Sequence, residues 1–255
     1  MSNLVSDLLG KVAIVTGGAD GIGFEISKTL AINNADIVIA DIRKEQGENA
    51  AALIREMGRN AIAIQTDVSD KMSVDKMVKA VLSFYKNVDI LVNNAGINIR
   101  KPFIEYEEDE FEKIIAVNMK GVFWCCQAVG KIMIKQKKGK VINISSVLER
   151  IGQELRGPYA ASKGAVAQLT KVLAIEWALY NINVNCVAPG FIKTSLTATI
   201  IKNDPDFESF IKKIIPMGHV GNTQDVAAAV LYLASEASDY LTGQSIFVDG
   251  GWTIS

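Results

Sequence analysis

Soft metal ligands are scarce in this chain of 255 residues: one histidine, His219, and three cysteines, Cys125, Cys126 and Cys186. There is no Cys-x-x-Cys pair, and neighbouring Cys125 and Cys126 point to different sides of a helix, so no spacing suits zinc. The thiols read as buried and free, as in a reducing compartment, and His219 reads as structural. A charge excess is lacking as well, since 27 Lys and Arg face 28 Asp and Glu for a net charge of -1. That balance gives no general pull toward nucleic acid or an anionic membrane surface. No apolar run nears the ~20 residues that span a bilayer, and residues 1–10 lack a basic stretch followed by an apolar core. The expectation is a cytoplasmic chain with no metal, no nucleic-acid partner and no membrane partner. Linkers, internal repeats and low-complexity stretches are missing too, which favours a single domain over residues 1–255.

What the chain does have is 49% hydrophobic residues, enough for one large core, arranged in a regular alternation. Short runs rich in Val, Ile and Ala at 12–16, 36–40, 61–66, 90–93, 141–144, 183–188 and 245–248 predict strands. Most are nearly continuous in apolar residues, as expected of parallel strands covered on both faces. Helical periodicity fills the gaps at 22–33, 46–57, 74–85, 109–135, 158–180 and 223–235. Strand and helix in alternation predict an α/β fold, a doubly wound parallel sheet of seven strands in a Rossmann arrangement. Acidic residues 107–110 crowd the start of the fourth helix, and Lys135, Lys137 and Lys138 gather at its end, which accounts for that lysine cluster through the helix dipole. The segment 193–221 falls outside the pattern and is long enough to predict a lid over a site.

Directly after the first strand stands Thr16-Gly17-Gly18-Ala19-Asp20-Gly21-Ile22-Gly23. A glycine-rich turn between strand and helix lets backbone approach a pyrophosphate, which then sits on the helix N-terminus. Asp41, with Ile42 beside it, closes the second strand 18 residues beyond Gly23. There an acidic side chain accepts hydrogen bonds from ribose hydroxyls and repels a 2'-phosphate. Asp20, inside the loop, points the same way, while Arg43 is within reach of an additional phosphate. The expected cofactor is NAD, with NADP the weaker alternative.

Tyr159 and Lys163 stand four residues apart after Gly157-Pro158, a favoured helix start. Residues four apart share a helix face. A free phenol titrates near ~10 and is a poor base at neutral pH; a neighbouring ammonium lowers that value. The pair is therefore a candidate proton-transfer centre.

Together these features resemble the short-chain dehydrogenase/reductase family over essentially the whole chain. The motifs occur in order: TGGADGIG at 16–23, Asp67-Val68, NNAG at 93–96, NMKG at 118–121, ISS at 144–146, YAASK at 159–163, PGFIKT at 189–194 and DGG at 249–251. The resemblance implies Tyr159 as general acid/base, Lys163 as the group that lowers its pKa and bonds the nicotinamide ribose, Ser146 as polariser of the substrate oxygen, and Asn118 as the fourth member, holding a water in the proton relay. Ser145 competes for the serine role, and the family's step of thirteen residues back from the tyrosine selects Ser146. The resemblance also implies Asp67 and Val68 beside adenine, Asn94 beside the adenosine backbone, and Ile192 and Thr194 at the carboxamide.

The implied reaction is reversible hydride transfer between a secondary alcohol and its ketone. Glu149, Arg150, Gln153, Glu154 and Arg156, with Asn98 and Arg100, predict a polar substrate wall suited to a sugar, polyol or sugar acid, and the 149–154 stretch is similar to the gluconate 5-dehydrogenase branch. The competing reading is a 3-oxoacyl-[acyl-carrier-protein] reductase using NADPH; Lys137 suits carrier docking, but an aromatic residue, Tyr180, stands at the second docking position. A non-catalytic nucleotide-binding regulator is the reading of another class, and the presence of both Tyr159 and Lys163 weighs against it. Homotetramers prevail in the family, which implies helices 109–135 and 158–180 packed against their mates. Phe123, Trp124 and Val129 on the first, and Val166, Leu169, Val172, Leu173 and Trp177 on the second, supply core and interface faces. Residues 250–255 are placed to cross into a neighbouring subunit.

Overall fold

Alternate residues of the central strands face opposite layers of helices. Ala13 and Val15 pack with Ile37 and Ile39 into one core, while Val12, Ile14, Val38 and Ala40 pack into the other. A period of two with both faces apolar is what a sheet buried on both sides requires. The computed structural model describes residues 7–194 and 207–255. Among these, nine strands occur: β1 (Val12–Thr16), β2 (Asp36–Asp41), β3 (Ala61–Gln65), β4 (Ile90–Asn93), β5 (Gly139–Ile144), β6 (Ile182–Pro189), β7 (Ile192–Lys193), β8 (Gly221–Asn222) and β9 (Ser245–Val248). Seven form one sheet in the order β3-β2-β1-β4-β5-β6-β9, every pairing parallel.

Helices α1 (Gly21–Ile32), α2 (Lys44–Glu56) and α8 (Thr223–Ala234) cover one face, and α3 (Lys71–Phe84), α5 (Gly121–Gln136) and α6 (Gly157–Trp177) the other. Strand order reverses between β1 and β4, so their carboxyl ends open a crevice, the usual ligand position in doubly wound sheets. The short pair β7-β8 and helix α7 (Phe207–Ile214) lie beyond β6. Of the expected lid, 195–206 lie outside the described residues.

Two differences from the sequence reading have local causes. The helix expected over 109–135 is two helices, α4 (Glu108–Ile115) and α5, joined by a π-helical turn at Ala116–Lys120, where Gly121 N–H reaches back to the Ala116 carbonyl. One extra residue in a turn re-aims a side chain, here buried Asn118. The helix expected over 158–180 ends at Trp177 and continues as a 3-10 turn, Ala178–Tyr180, before Asn181 in the left-handed region. Within the chain, the C-terminal Trp252 stacks on Phe191 with ring centroids 4.8 Å apart, and Ser255 Oγ donates to the Ile214 carbonyl.

The thiols are free and buried. Burial pushes Cys125 and Cys186 up to about 12 and raises Cys126 as well. Cys126 and Cys186 border a polar chain beneath the crevice, in which Asn93 Nδ2 donates to Asn143 Oδ1 at 2.8 Å and Asn143 Nδ2 donates to Thr170 Oγ1 at 2.8 Å. His219 is exposed, its ring nitrogen 3.1 Å from the Val220 carbonyl. No described helix is long and apolar enough to cross a membrane.

Candidate active site

The turn after β1 is shaped by two glycines at positive φ, Gly17 at 60° and Gly21 at 54°, a region that side chains with a Cβ avoid. Gly23, in the first turn of α1, faces back into the loop: a Cβ there would run into the Gly17 carbonyl oxygen and lie 2.5 Å from Asn94 Nδ2. Asn94 fixes the turn, donating from Nδ2 to the carbonyls of Thr16 at 3.1 Å and Gly17 at 3.0 Å. Asp20 caps α1 by accepting from Gly21 N–H at 2.7 Å. The result is a glycine cradle against a helix N-terminus, and it fits a pyrophosphate.

Asp41 ends β2 at 4% exposure and ties three elements together. Its carboxylate accepts from Ala19 N–H in the cradle at 3.2 Å, and from Arg43 N–H at 3.0 Å and Arg43 Nε at 3.1 Å. Arg43 also lies 3.9 Å from Asp20, and its hydrogen bond to Asp41 is the main reason its pKa is raised. The guanidinium, which by sequence was within reach of an additional phosphate, is committed to Asp41 here. Asp67 accepts from Ser69 N–H and Oγ at 2.9 and 2.6 Å, and buried Val68 packs on Gly121.

At the other end of the crevice, β5 delivers two serines with different fates. Ser145 Oγ donates to the Lys163 carbonyl at 3.1 Å and so staples β5 to α6, whereas Ser146 Oγ accepts from Leu148 N–H at 3.2 Å and stands close enough to the Tyr159 hydroxyl to favour its ionised form. Lys163 is 4% exposed, donates from Nζ to the Ile144 carbonyl at 2.7 Å, and lies 5.6 Å from the Tyr159 ring centroid. Burial lowers its pKa to about 8. The same burial raises Tyr159, opposed by the Ser146 hydrogen bond and by the Arg156 charge. In the structure, then, it is Ser146 and Arg156 that oppose the burial of the phenol, whereas Lys163, which the resemblance implied as the acidifying group, stands 5.6 Å from the ring centroid and is not among the groups that shift it. Asn118, 0% exposed, accepts from Ile97 N–H at 2.8 Å and donates to the Ile97 carbonyl at 2.9 Å and Ser162 Oγ at 3.1 Å. Its amide braces the loop that carries Gly96 over Lys163.

A single cleft of about 800 Å³ joins the two ends. It is lined by every expected cofactor residue, namely Gly17, Asp20, Gly21, Ile22, Gly23, Asp41, Ile42, Asp67, Val68, Asn94, Ile192 and Thr194, and by Ser146, Tyr159 and Lys163; Asn118 lies just behind the wall. The polar substrate wall needs correction. Asn98 and Arg156 line the cleft, but Glu149 and Arg150 turn to a separate depression beside β9, where Arg150 stacks 5.4 Å from the Phe247 ring centroid. Gln153, Glu154 and Arg100 are not cleft-lining. Phe191 and Phe207, which line it, were not anticipated; Phe191 belongs to the PGFIKT motif, but nothing local marks it as a wall. Among the described residues no group of three or more His, Cys, Asp or Glu could hold a metal ion.

Known proteins resemble this chain in sequence and in fold. A family model described as enoyl-(acyl carrier protein) reductase matches residues 17–253. The chain is 40% identical over 255 residues to 5-keto-D-gluconate 5-reductase of Escherichia coli (strain K12), covering 100% of both chains. It is 39% identical over 246 residues to a 3-oxoacyl-[acyl-carrier-protein] reductase of Chlamydia pneumoniae, covering 96% of this chain and 98% of the relative. The chain belongs to the short-chain dehydrogenase/reductase family. A solved gluconate 5-dehydrogenase from Burkholderia cenocepacia J2315, in complex with NADP and tartrate, superposes with a TM-score of 0.94 at 38% identity over 98% of each chain. This short-chain dehydrogenase/reductase is accordingly an oxidoreductase of CH–OH groups that uses a nicotinamide cofactor.

Proposed function

We propose that the enzyme interconverts a secondary alcohol of a sugar, polyol or sugar acid with its ketone, using NAD. The observation that carries this reading is the meeting of Ser146, Tyr159 and Lys163 at one end of a cleft whose other end is the glycine cradle and Asp41. The bound nicotinamide supplies the hydride chemistry. Tyr159 takes the hydroxyl proton in oxidation and returns it in reduction, and Ser146 steadies the oxygen as its charge changes. Lys163 keeps a cation beside the phenol and has further N–H donors for ribose hydroxyls. Asn118 holds the Gly96–Ile97 loop that roofs the lysine.

The preference for NAD is supported by Asp41 and Asp20 against one Arg43, a local charge that disfavours a further phosphate. The rival reading, a 3-oxoacyl-[acyl-carrier-protein] reductase using NADPH, is favoured by the Chlamydia relative. Purified protein assayed on gluconate, 5-ketogluconate, glucose, sorbitol and an acetoacetyl thioester, with NAD and NADP in parallel, separates them. The expected result is turnover of a sugar-type substrate with higher kcat/KM for NAD. Faster reduction of the thioester with NADPH would select the rival, and dinucleotide binding without turnover would select a non-catalytic role.

We further propose a homotetramer. Ile175 and Leu179 at the end of α6 are 79% and 97% exposed, Phe103 and Ile104 before α4 are 76% and 93% exposed, and Phe123 and Val172 also face outward. Val129, Val166 and Trp177, by contrast, are spent on the core. Light scattering is expected to give four times the chain mass of 27.6 kDa, and a monomeric mass would remove the proposal.

A further inference from the structure

Arg156 stands at the N-cap of α6, three residues before Tyr159, with φ -137° and ψ 25°. Its guanidinium reaches into the cleft and lies 5.9 Å from the Phe191 ring centroid, over an aromatic platform that Trp252 backs from the same chain. The Nε atom is buried without a hydrogen-bond partner, and among the described residues Arg156 enters no ion pair. Burial, and after it the like charge of Arg100, lower its pKa. Carboxylates that line the cleft are Asp20, Asp41 and Asp67, all of them on the β1–β3 side. A buried cation beside a like charge is unfavourable unless something anionic meets it. Asn98 Oδ1, another buried polar atom without a partner, belongs to a residue that lines the same cleft. Among the described residues no anion meets this cation, whereas a planar anion on the fork of Arg156 would.

We propose that Arg156 is the anchor for a substrate carboxylate, so that the enzyme selects hydroxy acids and keto acids over neutral polyols and ketoses of the same length. The inference rests on the oxidoreductase reading above and narrows its substrate class. The reacting carbon lies against Tyr159, and an acid held through its carboxylate at Arg156 presents a distant hydroxyl to the phenol. Arg156 is thus a specificity-determining residue.

The test compares the parent enzyme with Arg156→Gln, Arg156→Lys and Arg156→Met on gluconate and on sorbitol. Arg156→Met keeps the apolar stem on Phe191, and melting curves check that each variant folds. The ratio of kcat/KM for acid over polyol is expected to fall about 10- to 100-fold in the Gln and Met variants, chiefly through KM for the acid, and less in Lys. Calorimetric titration of gluconate into protein saturated with dinucleotide is expected to show the same weakening. A displaced kcat–pH profile on both substrates follows from the Arg156 charge beside Tyr159 in any case, so the selectivity ratio decides: an unchanged ratio would overturn the anchor and leave Arg156 as an acidifier of Tyr159 alone. The two readings fail separately. If the parent turns over neither substrate the sugar-type reading falls, while gluconate binding that is lost in Arg156→Gln still supports the anchor. If the parent turns over both with one shared ratio in every variant, only the anchor falls.

Discussion

Tyr159→Phe is expected to bind dinucleotide as tightly as the parent and to lose at least about 100-fold in turnover, the usual range for removing a positioned acid/base. The exchange removes one oxygen and leaves the ring, so the packing beside Lys163 survives. What disappears is the oxygen whose ionised form Ser146 favours and at which a substrate proton must arrive or depart. In the parent, alcohol oxidation is expected to rise with pH as the phenol ionises. The direction follows from the balance at Tyr159, where burial resists ionisation while the Ser146 hydrogen bond and the Arg156 charge favour it. In Tyr159→Phe that rising limb should vanish. Fluorescence titration with dinucleotide and a pH series of initial rates check both halves. A variant with more than a tenth of the parent rate would remove Tyr159 from its role.

The second large effect is expected at Gly23. Gly23→Val adds a Cβ that meets the Gly17 carbonyl and the Asn94 amide, both parts of the cradle itself. The first is backbone, and the second is a side-chain amide tied to the Thr16 and Gly17 carbonyls, so the turn has to move. The folded state should lose about 1–3 kcal/mol, as overpacked sites do, and dinucleotide binding should fall below detection because the displaced backbone is the binding surface. Thermal melts with and without dinucleotide measure the two effects on one sample. The parent is expected to gain melting temperature with ligand and the variant to gain none. A Gly23→Val protein that still gains as much as the parent would show that the pyrophosphate does not sit on this cradle.

Much of this molecule was legible before any coordinates because its signals are local. The glycine spacing at 16–23 needs only a strand before it and a helix after it. Tyr159 and Lys163 fall on one face by helix geometry alone, and Pro158 marks where that helix begins. The strand runs differ from the observed ones by a residue or two, as at β5, which begins at Gly139 because Lys140 still pairs with its neighbours in the sheet. The choice between Ser145 and Ser146 is different in kind. It came from a family spacing, and its physical basis, Ser145 bonded to the Lys163 carbonyl, lies across two elements.

The sequence by itself determined the alternation of strands and helices, the cradle and the catalytic pair, since each depends on residues within a few positions of one another. Only the tertiary structure decided which way the side chains of 149–156 turn, that the fourth helix breaks at Asn118, and that Arg43 is held by Asp41. For the first two the deciding partner is far along the chain, Phe247 for Arg150, Phe191 for Arg156 and Ile97 for Asn118, while Arg43 is held by Asp41 only two residues away, through the bend that follows β2. A loop residue has no period to declare its direction, so packing against distant neighbours assigns it.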